Sequence, residues 1–234
     1  MSDFDTWDKM LHRYVDGQGQ VDYRAWKAEA QEELDDWLQA ISQANTKAFN
    51  NADEQLAFWL NLYNALTIAQ VLARYPITSI QPKILGFPNW LAFFWFFQRP
   101  IYGLGERRYS LNDIEHGILR RQWREPRLHF ALVCASVGCP LLRPQAYRGQ
   151  TIQAQLEEDA RRFINNHSKV FYEAQSNTLY CSRIFQWYRQ DFLLFAPSVP
   201  AYIQTYLSPA VQLISRPRLQ YLPYDWSLNQ RMSS

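Results

Sequence analysis

The chain has 234 residues, of which 47% are hydrophobic and 16% aromatic, enough for the core of one large domain. Its 24 basic and 22 acidic residues nearly balance, and because no long basic run occurs, binding to nucleic acid is not expected. Three cysteines are too few for a disulfide scaffold. The opening residues, MSDFDTWDKMLHRYVDGQGQ, lack the apolar stretch of a secretion signal, so we expect a cytoplasmic protein with reduced thiols.

Residues 1–75 are predicted to form three helices. The first, DFDTWDKMLHRYV, has apolar side chains at a spacing near 3.6 residues, and the second covers residues 23–41. The third begins after Asn51, because Glu54 completes a capping-box pattern, and it ends before Pro76. Since the third helix is apolar on all sides, we expect it to be buried.

Two asparagines, Asn61 and Asn64, lie on one face of the third helix because they are three residues apart. A buried amide needs hydrogen-bond partners. Two interpretations remain open at this point. Either the amides hold a neighbouring loop, or they line a site and orient a catalytic group.

Residues 76–109 contain four prolines and several glycines, and they are predicted to be irregular. Within them the uncharged segment 84–97, ILGFPNWLAFFWFF, is too short to span a membrane, which takes ~20 apolar residues. The favoured interpretation is core, or a lid over the core. The alternative is an exposed aromatic patch that binds a partner or a lipid surface.

The next predicted helix, SLNDIEHGILRR, begins at Ser110, where Asp113 completes a second capping pattern. Asn112 and Asp113 precede His116 by four and three residues, so either side chain is expected to orient its imidazole. Glu115 is expected to point roughly 100° away around the helix.

The segment RLHFALVCAS is predicted to be a buried strand, followed by the loop SVGCPLLRP. Strand alternation places His129 on one face and both Cys134 and Ser136 on the other. Cys134 therefore lies near the end of a strand, just before a loop, where reactive groups are commonly presented.

The rest of the chain predicts a helix from Thr151, a hairpin KVFYEAQSNTLYCS, an aromatic helix IFQWYRQDFLLF and a last strand near LQYLPYDWSLN. We therefore predict an α+β fold: a single domain with several helices packed on a small, mainly antiparallel sheet. Residues 1–75 form its helical part and residues 76–234 its mixed α/β part.

Five motifs, in this order, resemble the uncharacterised DUF547 domain family: FWLNLYNAL, YSLNDIEHGILR, RLHFALVCASVGCPLLRPQAY, SRIFQWYRQDF and YDWSLN. The resemblance extends over almost the whole chain and implies a single DUF547-like domain, 1–234, of the stand-alone bacterial type. It implies no activity, and the family pattern does not require His129 or Cys139. The positions that match the family pattern are Asn61, Tyr63, Asn64, Glu115, His116, Cys134, Ser136 and Pro140.

The residues favour one enzymatic hypothesis: a cysteine-dependent hydrolase or acyl transferase acting on peptide or amide bonds. Cys134 would be the nucleophile, His116 its base, and Asn64 or Glu115 would orient the imidazole. The core would then be similar to that of papain or transglutaminase. No cofactor is expected. The other site residues, for substrate binding or support, are Asn61, Tyr63, Ser136, Cys139 and His129.

Three alternatives accompany this hypothesis. A zinc site is not expected, because the spacing of Cys134 and Cys139 is loose and no second pair of ligands follows. The same two thiols could form a redox pair. The chain could instead be a non-catalytic binding or scaffold module with a buried Asn, His and Cys cluster, whose partner surface is segment 90–97. Membrane contact through that segment is possible but not favoured.

Overall fold

The computed structural model describes residues 4–44, 49, 51–84 and 87–231. Its helices pack with small sheets in one α+β domain, which confirms the predicted fold class. Residues 85 and 86 of the aromatic segment and the first three residues of the chain lie outside the described residues.

The predicted helices of the N-terminal part are confirmed as α1 (Asp5–Tyr14), α2 (Tyr23–Ile41) and α3 (Ala52–Arg74). α2 has both ends where the sequence placed them. At the start of α3 the side chain of Asn51 accepts a hydrogen bond of 2.8 Å from the backbone N–H of Glu54. This is the capping contact that the sequence predicted.

α3 is the central helix of the core. By length and composition it could cross a membrane, but 89% of its most apolar window is buried inside the protein. α2 packs along it, and α1 packs on α2. α3 is therefore a core helix, as its apolar pattern predicted.

The prediction that residues 76–109 are irregular was wrong. Asn89 caps a helix in this region by accepting a hydrogen bond from the backbone N–H of Ala92, and the prolines lie at or beyond the ends of its elements. The elements are the hairpin β1 (Lys83–Ile84) and β2 (Phe87–Pro88), the helix α4 (Trp90–Gln98), and the hairpin β3 (Tyr102–Leu104) and β4 (Arg107–Tyr109).

The prediction that segment 84–97 is core or a lid holds for only one side of α4. Phe96 is buried, and Phe93 and Phe97 pack against the core. The opposite side of α4, with Leu91 and Trp95, is exposed to solvent.

The predicted helix after residue 110 forms, but much of it is a π-helix (Asp113–Leu119), followed by α5 (Arg120–Trp123). Asp113 caps its start, because its carboxylate accepts hydrogen bonds from the backbone N–H of Ser110, at 2.9 Å, and from the Ser110 hydroxyl, at 2.7 Å. That carboxylate does not orient His116, so this part of the prediction was wrong.

The predicted strand RLHFALVCAS does not form. Pro126–Phe130 is a 3₁₀ helix, and the chain then continues as a loop whose backbone at Ala135 has a φ of 61°. A short apolar run does not distinguish a strand from other buried backbone. Strand alternation therefore does not decide where His129 and Cys134 point.

The C-terminal elements surround a second hydrophobic cluster. These elements are α6 (Ile152–Ile164), β5 (Val170–Glu173), β6 (Thr178–Cys181), α7 (Ile184–Trp187), α8 (Arg189–Phe192), α9 (Val199–Tyr206) and β7 (Arg218–Tyr221). β6 pairs antiparallel with β5 and parallel with β7. The predicted aromatic helix is divided into two short helices, α7 and α8.

Candidate functional site

A cavity of about 430 Å³ brings six of the predicted site residues together from distant parts of the chain. Its aromatic lining comes from Tyr63, α4, α7, Tyr188 and the C-terminal segment 224–229. The predicted site residues that line it are Tyr63, Glu115, His116, His129, Cys134 and Cys139.

Cys134 is half-buried on the lining of this cavity. Its Sγ lies 3.0 Å from Ser136 Oγ and 3.3 Å from Tyr224 Oη. Its backbone N–H donates a hydrogen bond to Cys139 Sγ. The hydroxyls of Ser136 and Tyr224 can thus donate hydrogen bonds to a negatively charged sulfur at Cys134.

These donors change the acidity of Cys134. Burial opposes ionisation, but hydrogen bonds from Cys139, Ser136 and Tyr224 outweigh it and lower the pKa of Cys134 to about 7. Burial raises the pKa of Tyr224 and of Cys139 well above their ordinary values, so both remain protonated donors at neutral pH. Burial also raises the pKa of Cys181, to about 12. Of these three thiols, Cys134 is the one poised to react.

The loop that carries Cys134 is fixed on the C-terminal segment 224–229. Gly138 is needed there, because a Cβ at this position would lie 2.8 Å from both the Asp225 carbonyl oxygen and the Tyr224 ring. Three backbone hydrogen bonds join the two segments: Val137 to Ser227, Gly138 to Asp225, and Asn229 to Ala135. This contact brings Tyr224 to the thiol.

His129 is buried, and its ring stacks on Tyr188 with centroids 3.8 Å apart. Its Nε2 lies 2.7 Å from Asp191 Oδ2, so Nε2 carries the hydrogen and donates it. Burial lowers the pKa of His129 although Asp191 opposes this, so the ring is neutral at pH 7. In the described part of the chain, His129 Nδ1 has no hydrogen-bond partner.

Asp191 is linked to both histidines, directly to His129 and through Arg120 to His116. Arg120 Nε and Nη2 donate to its carboxylate at 2.7 and 3.0 Å, in addition to the bond from His129. Although burial opposes it, the hydrogen bonds from His129 and Arg120 hold the pKa of Asp191 well below its ordinary value. Asp191 is therefore a permanent anion that orients His129.

His116 is held differently from the prediction. Its Nδ1 lies 2.7 Å from Arg120 Nη1 and must accept that hydrogen bond, so Nε2 carries the hydrogen. Among the described residues, no histidine nitrogen is within hydrogen-bond distance of Cys134 Sγ. The predicted pair of His116 with Cys134 is not formed here.

Glu115 faces the cavity, and its Oε1 lies 3.9 Å from His116 Nε2. Glu115 belongs to the π-helix, and its carboxylate lies nearer the imidazole than α-helical geometry predicted. The hydroxyls of Tyr63 and Tyr188 donate to its carboxylate at 3.2 and 2.6 Å. Burial raises the pKa of both tyrosines, which keeps them as donors.

The two asparagines of α3 hold loops, and the prediction that Asn64 orients an imidazole was wrong. Asn64 donates to the carbonyl of Ala131 at 3.0 Å and accepts from the backbone N–H of Val133 at 3.1 Å. Asn61 makes the same pair of bonds with the backbone of Tyr147, at 2.8 and 2.9 Å. Asn64 thus fixes the start of the loop that presents Cys134.

Three important residues were missed by the sequence interpretation: Tyr188, Asp191 and Tyr224. They lie in the motifs SRIFQWYRQDF and YDWSLN, which were recognised only as family resemblance. The sequence does contain a signal that could have identified them: polar groups, such as Asp191, occur inside otherwise aromatic segments. Within the described residues, no group of three or more His, Cys, Asp or Glu side chains could hold a metal ion.

The fold and the site define an α+β protein with an acidic thiol on the lining of an aromatic cavity. A family model described as "Protein of unknown function, DUF547" matches residues 47–164, about half of the chain. The chain belongs to this family, as its motifs indicated. The match includes Cys134 and both cavity histidines, whereas Asp191 and Tyr224 lie beyond it. Searches of curated proteins and of solved structures gave no match.

Proposed function

We propose that this protein is a thiol-dependent acyl-transfer enzyme, a hydrolase or an acyl transferase, with Cys134 as its nucleophile. The observation that carries the proposal is the set of donors around Cys134 Sγ, which favours the thiolate at neutral pH. The thiolate is the form of cysteine that attacks carbonyl carbon. The cavity beside the sulfur offers room for a substrate.

In the first step the Cys134 thiolate attacks the carbonyl carbon of the substrate. A C–S bond forms, the bond to the leaving group breaks, and the leaving group departs with that electron pair and takes a proton from water. In the second step water or another acceptor attacks the thioester and loses a proton to a base. The C–S bond breaks, and the sulfur leaves as thiolate.

We assign the role of base in the second step to His129 instead of His116. His129 lines the same cavity as Cys134, and Asp191 on its Nε2 leaves Nδ1 to bind and release a proton. In His116, Nδ1 is occupied by Arg120. Asp191 would stabilise the imidazolium that forms when His129 takes this proton.

The lining of the cavity favours an acyl group without charge. Trp90, Phe93, Phe97, Trp187 and Trp226 contribute large apolar surfaces. The carboxylate of Glu115 on this lining accepts hydrogen bonds from two tyrosines, and it disfavours an anionic acyl group. An apolar acyl chain, or an aromatic side chain beside a peptide bond, has the chemistry that such walls bind.

The test is acylation by p-nitrophenyl acetate, butyrate and octanoate. We expect one acyl group per chain, located on the peptide that contains Cys134 by mass spectrometry and removed by hydroxylamine. Cys134→Ser should no longer be acylated. Cys181→Ser, which changes an inert buried thiol, should be acylated as wild type is. Equal slow labelling of Cys134 and Cys181 would overturn the proposal.

A non-catalytic binding module is the second candidate, because α4 exposes a large aromatic surface. The rate of alkylation by iodoacetamide as a function of pH distinguishes the two candidates. A midpoint near 7 at Cys134 supports the enzyme. A midpoint at or above ~8.5, the value of a free thiol, supports the module.

A further inference from the structure

The outer side of α4 is an apolar surface without charge. Exposed fractions are 55% for Trp90, 72% for Leu91, 53% for Phe94 and 57% for Trp95, and Phe87 just before the helix is 77% exposed. No charged residue occurs from 87 to 98. Large exposed aromatic side chains in one short helix mark a binding surface.

This surface is continuous with the opening of the cavity. Trp90 and Trp187 are both about half exposed and also line the cavity, so they lie at its opening. Trp226 connects them, because its ring lies 4.9 Å from Phe93 and 5.8 Å from Trp187. Whatever covers α4 therefore also covers the entrance to Cys134.

Positive charge lies beside the C-terminal end of α4. Arg74, Arg99 and Arg108 line one shallow cleft, in which Asp35 is the acidic residue. Arg74 lies over the ring of Phe96 at 5.3 Å, which places this cleft against α4. Within the described ranges none of the three arginines forms an ion pair, so their charge is available to an anion.

We propose that α4 docks on the surface of an anionic lipid bilayer, with the cavity opening toward the lipid, and that Cys134 takes its acyl group from a membrane lipid. Aromatic side chains that enter the interface, together with arginines that face anionic headgroups, give the two signals that stable peripheral binding needs. With nine residues, α4 is too short to span the bilayer, so it would lie in the interface.

The acyl step rests on the proposed function, whereas the docking does not. In that step the Cys134 thiolate attacks the ester carbonyl of the lipid. The C–S bond forms, the C–O bond breaks, and the lipid alkoxide leaves with that electron pair and takes a proton from water. Water or a second acceptor then removes the acyl group and restores the thiolate.

The first test is sedimentation of the full chain with vesicles of phosphatidylcholine, with and without phosphatidylglycerol. We expect binding that is stronger on the anionic vesicles and weaker at high salt. Leu91→Ser and Trp95→Ser, which do not line the cavity, should each weaken binding about tenfold or more. Leu194→Ser and Phe195→Ser, at positions 61% and 59% exposed, are the matched controls and should bind as wild type does.

The second test addresses the charges. Arg99→Gln and Arg108→Gln should each lower binding to the anionic vesicles about fivefold, which corresponds to about 1 kcal/mol per arginine. Binding to phosphatidylcholine alone should not change. Arg24→Gln and Arg218→Gln, at exposed positions on α2 and β7, should have no effect.

Three outcomes overturn the inference. The first is equal binding by wild type and the α4 variants. The second is a concentration-dependent dimer that Leu91→Ser abolishes, since α4 would then bind a second copy of the chain. The third is vesicle binding without transfer of a lipid acyl group to Cys134, while the soluble esters still acylate this residue. That result would exclude a membrane lipid as the substrate, but it would not contradict the proposed enzyme. Cys134→Ala should bind vesicles as wild type does, because the docking does not require the thiol.

Discussion

The hydroxyl of Tyr224 lies 3.3 Å from Cys134 Sγ, although the two residues are 90 positions apart in the chain. This contact places a permanent donor on the one thiol whose pKa is lowered to about 7. The acidity of Cys134 is therefore a property of the folded chain, and displacement of the C-terminal segment 224–229 should raise the pKa of Cys134 by removing one of its donors.

Tyr224→Phe removes this donor and preserves the ring. We expect the pKa of Cys134 to rise by about one unit, the amount that one hydrogen bond to a charged group supplies. The iodoacetamide rate measured against pH reports the midpoint. Tyr221→Phe, three residues earlier on β7, serves as control and should leave it unchanged. Superimposable profiles for the two variants would show that Tyr224 does not stabilise the thiolate.

Gly138→Ala tests the contact between the loop and segment 224–229. The new Cβ would lie 2.8 Å from the Asp225 carbonyl oxygen and the Tyr224 ring, so one segment must move. We expect a loss of about 1–3 kcal/mol in the free energy of unfolding, and a higher pKa of Cys134. Urea unfolding and thiol alkylation measure the two effects. Gly103→Ala has no atom within 4 Å of the new Cβ and should change neither.

Asp191→Asn should lower both stability and activity. The pKa of Asp191 in the folded protein lies below its unfolded value of about 3.9, so its contribution is complete above pH 4. That contribution is lost as the pH falls further toward the folded pKa. At pH 7 we expect a loss of about 2 kcal/mol.

Urea unfolding of wild type and Asp191→Asn from pH 7 to pH 3 measures this effect. The difference between them should stay constant down to about pH 4 and then shrink. Asp36→Asn, at an exposed position, is the control. A difference that does not depend on pH would contradict the assignment of Asp191 as a permanent anion.

Asn64→Ala leaves the carbonyl of Ala131 and the N–H of Val133 without their partner inside the core. We expect a loss of about 3 kcal/mol in the free energy of unfolding, because buried unpaired backbone groups are costly. Asn61→Ala should destabilise by a similar amount through Tyr147. Only Asn64→Ala should also slow the alkylation of Cys134, since only Asn64 holds the loop that carries it.

The elements that were predicted correctly are those defined by local patterns. α2 (Tyr23–Ile41) has the apolar spacing of a helix, and α3 begins where Asn51 can cap it. Such contacts join residues three or four positions apart, so the sequence contains both partners side by side. Cys134, His129, Glu115 and His116 were also recognised as chemically distinctive residues, and the structure places them on one cavity.

One error arises where distant segments decide the local backbone. The run after Arg127 was predicted to be a strand, but Asn64 and segment 224–229 hold it as a loop. The error at His116 is local instead. Arg120, four residues later on the same helical segment, binds Nδ1 of the imidazole, a pairing that the prediction did not consider.

The sequence by itself determined the α+β class, the helices of the N-terminal part and the family, and it singled out Cys134 as the candidate nucleophile. Only the tertiary structure decided which donors surround that thiol, which histidine is oriented by a carboxylate, and which side of α4 remains exposed. The physical reason is the separation in sequence between the residues that interact. Helix periodicity and capping act over a few residues, whereas the pKa of Cys134 depends on Tyr224, which reaches it only when the chain is folded.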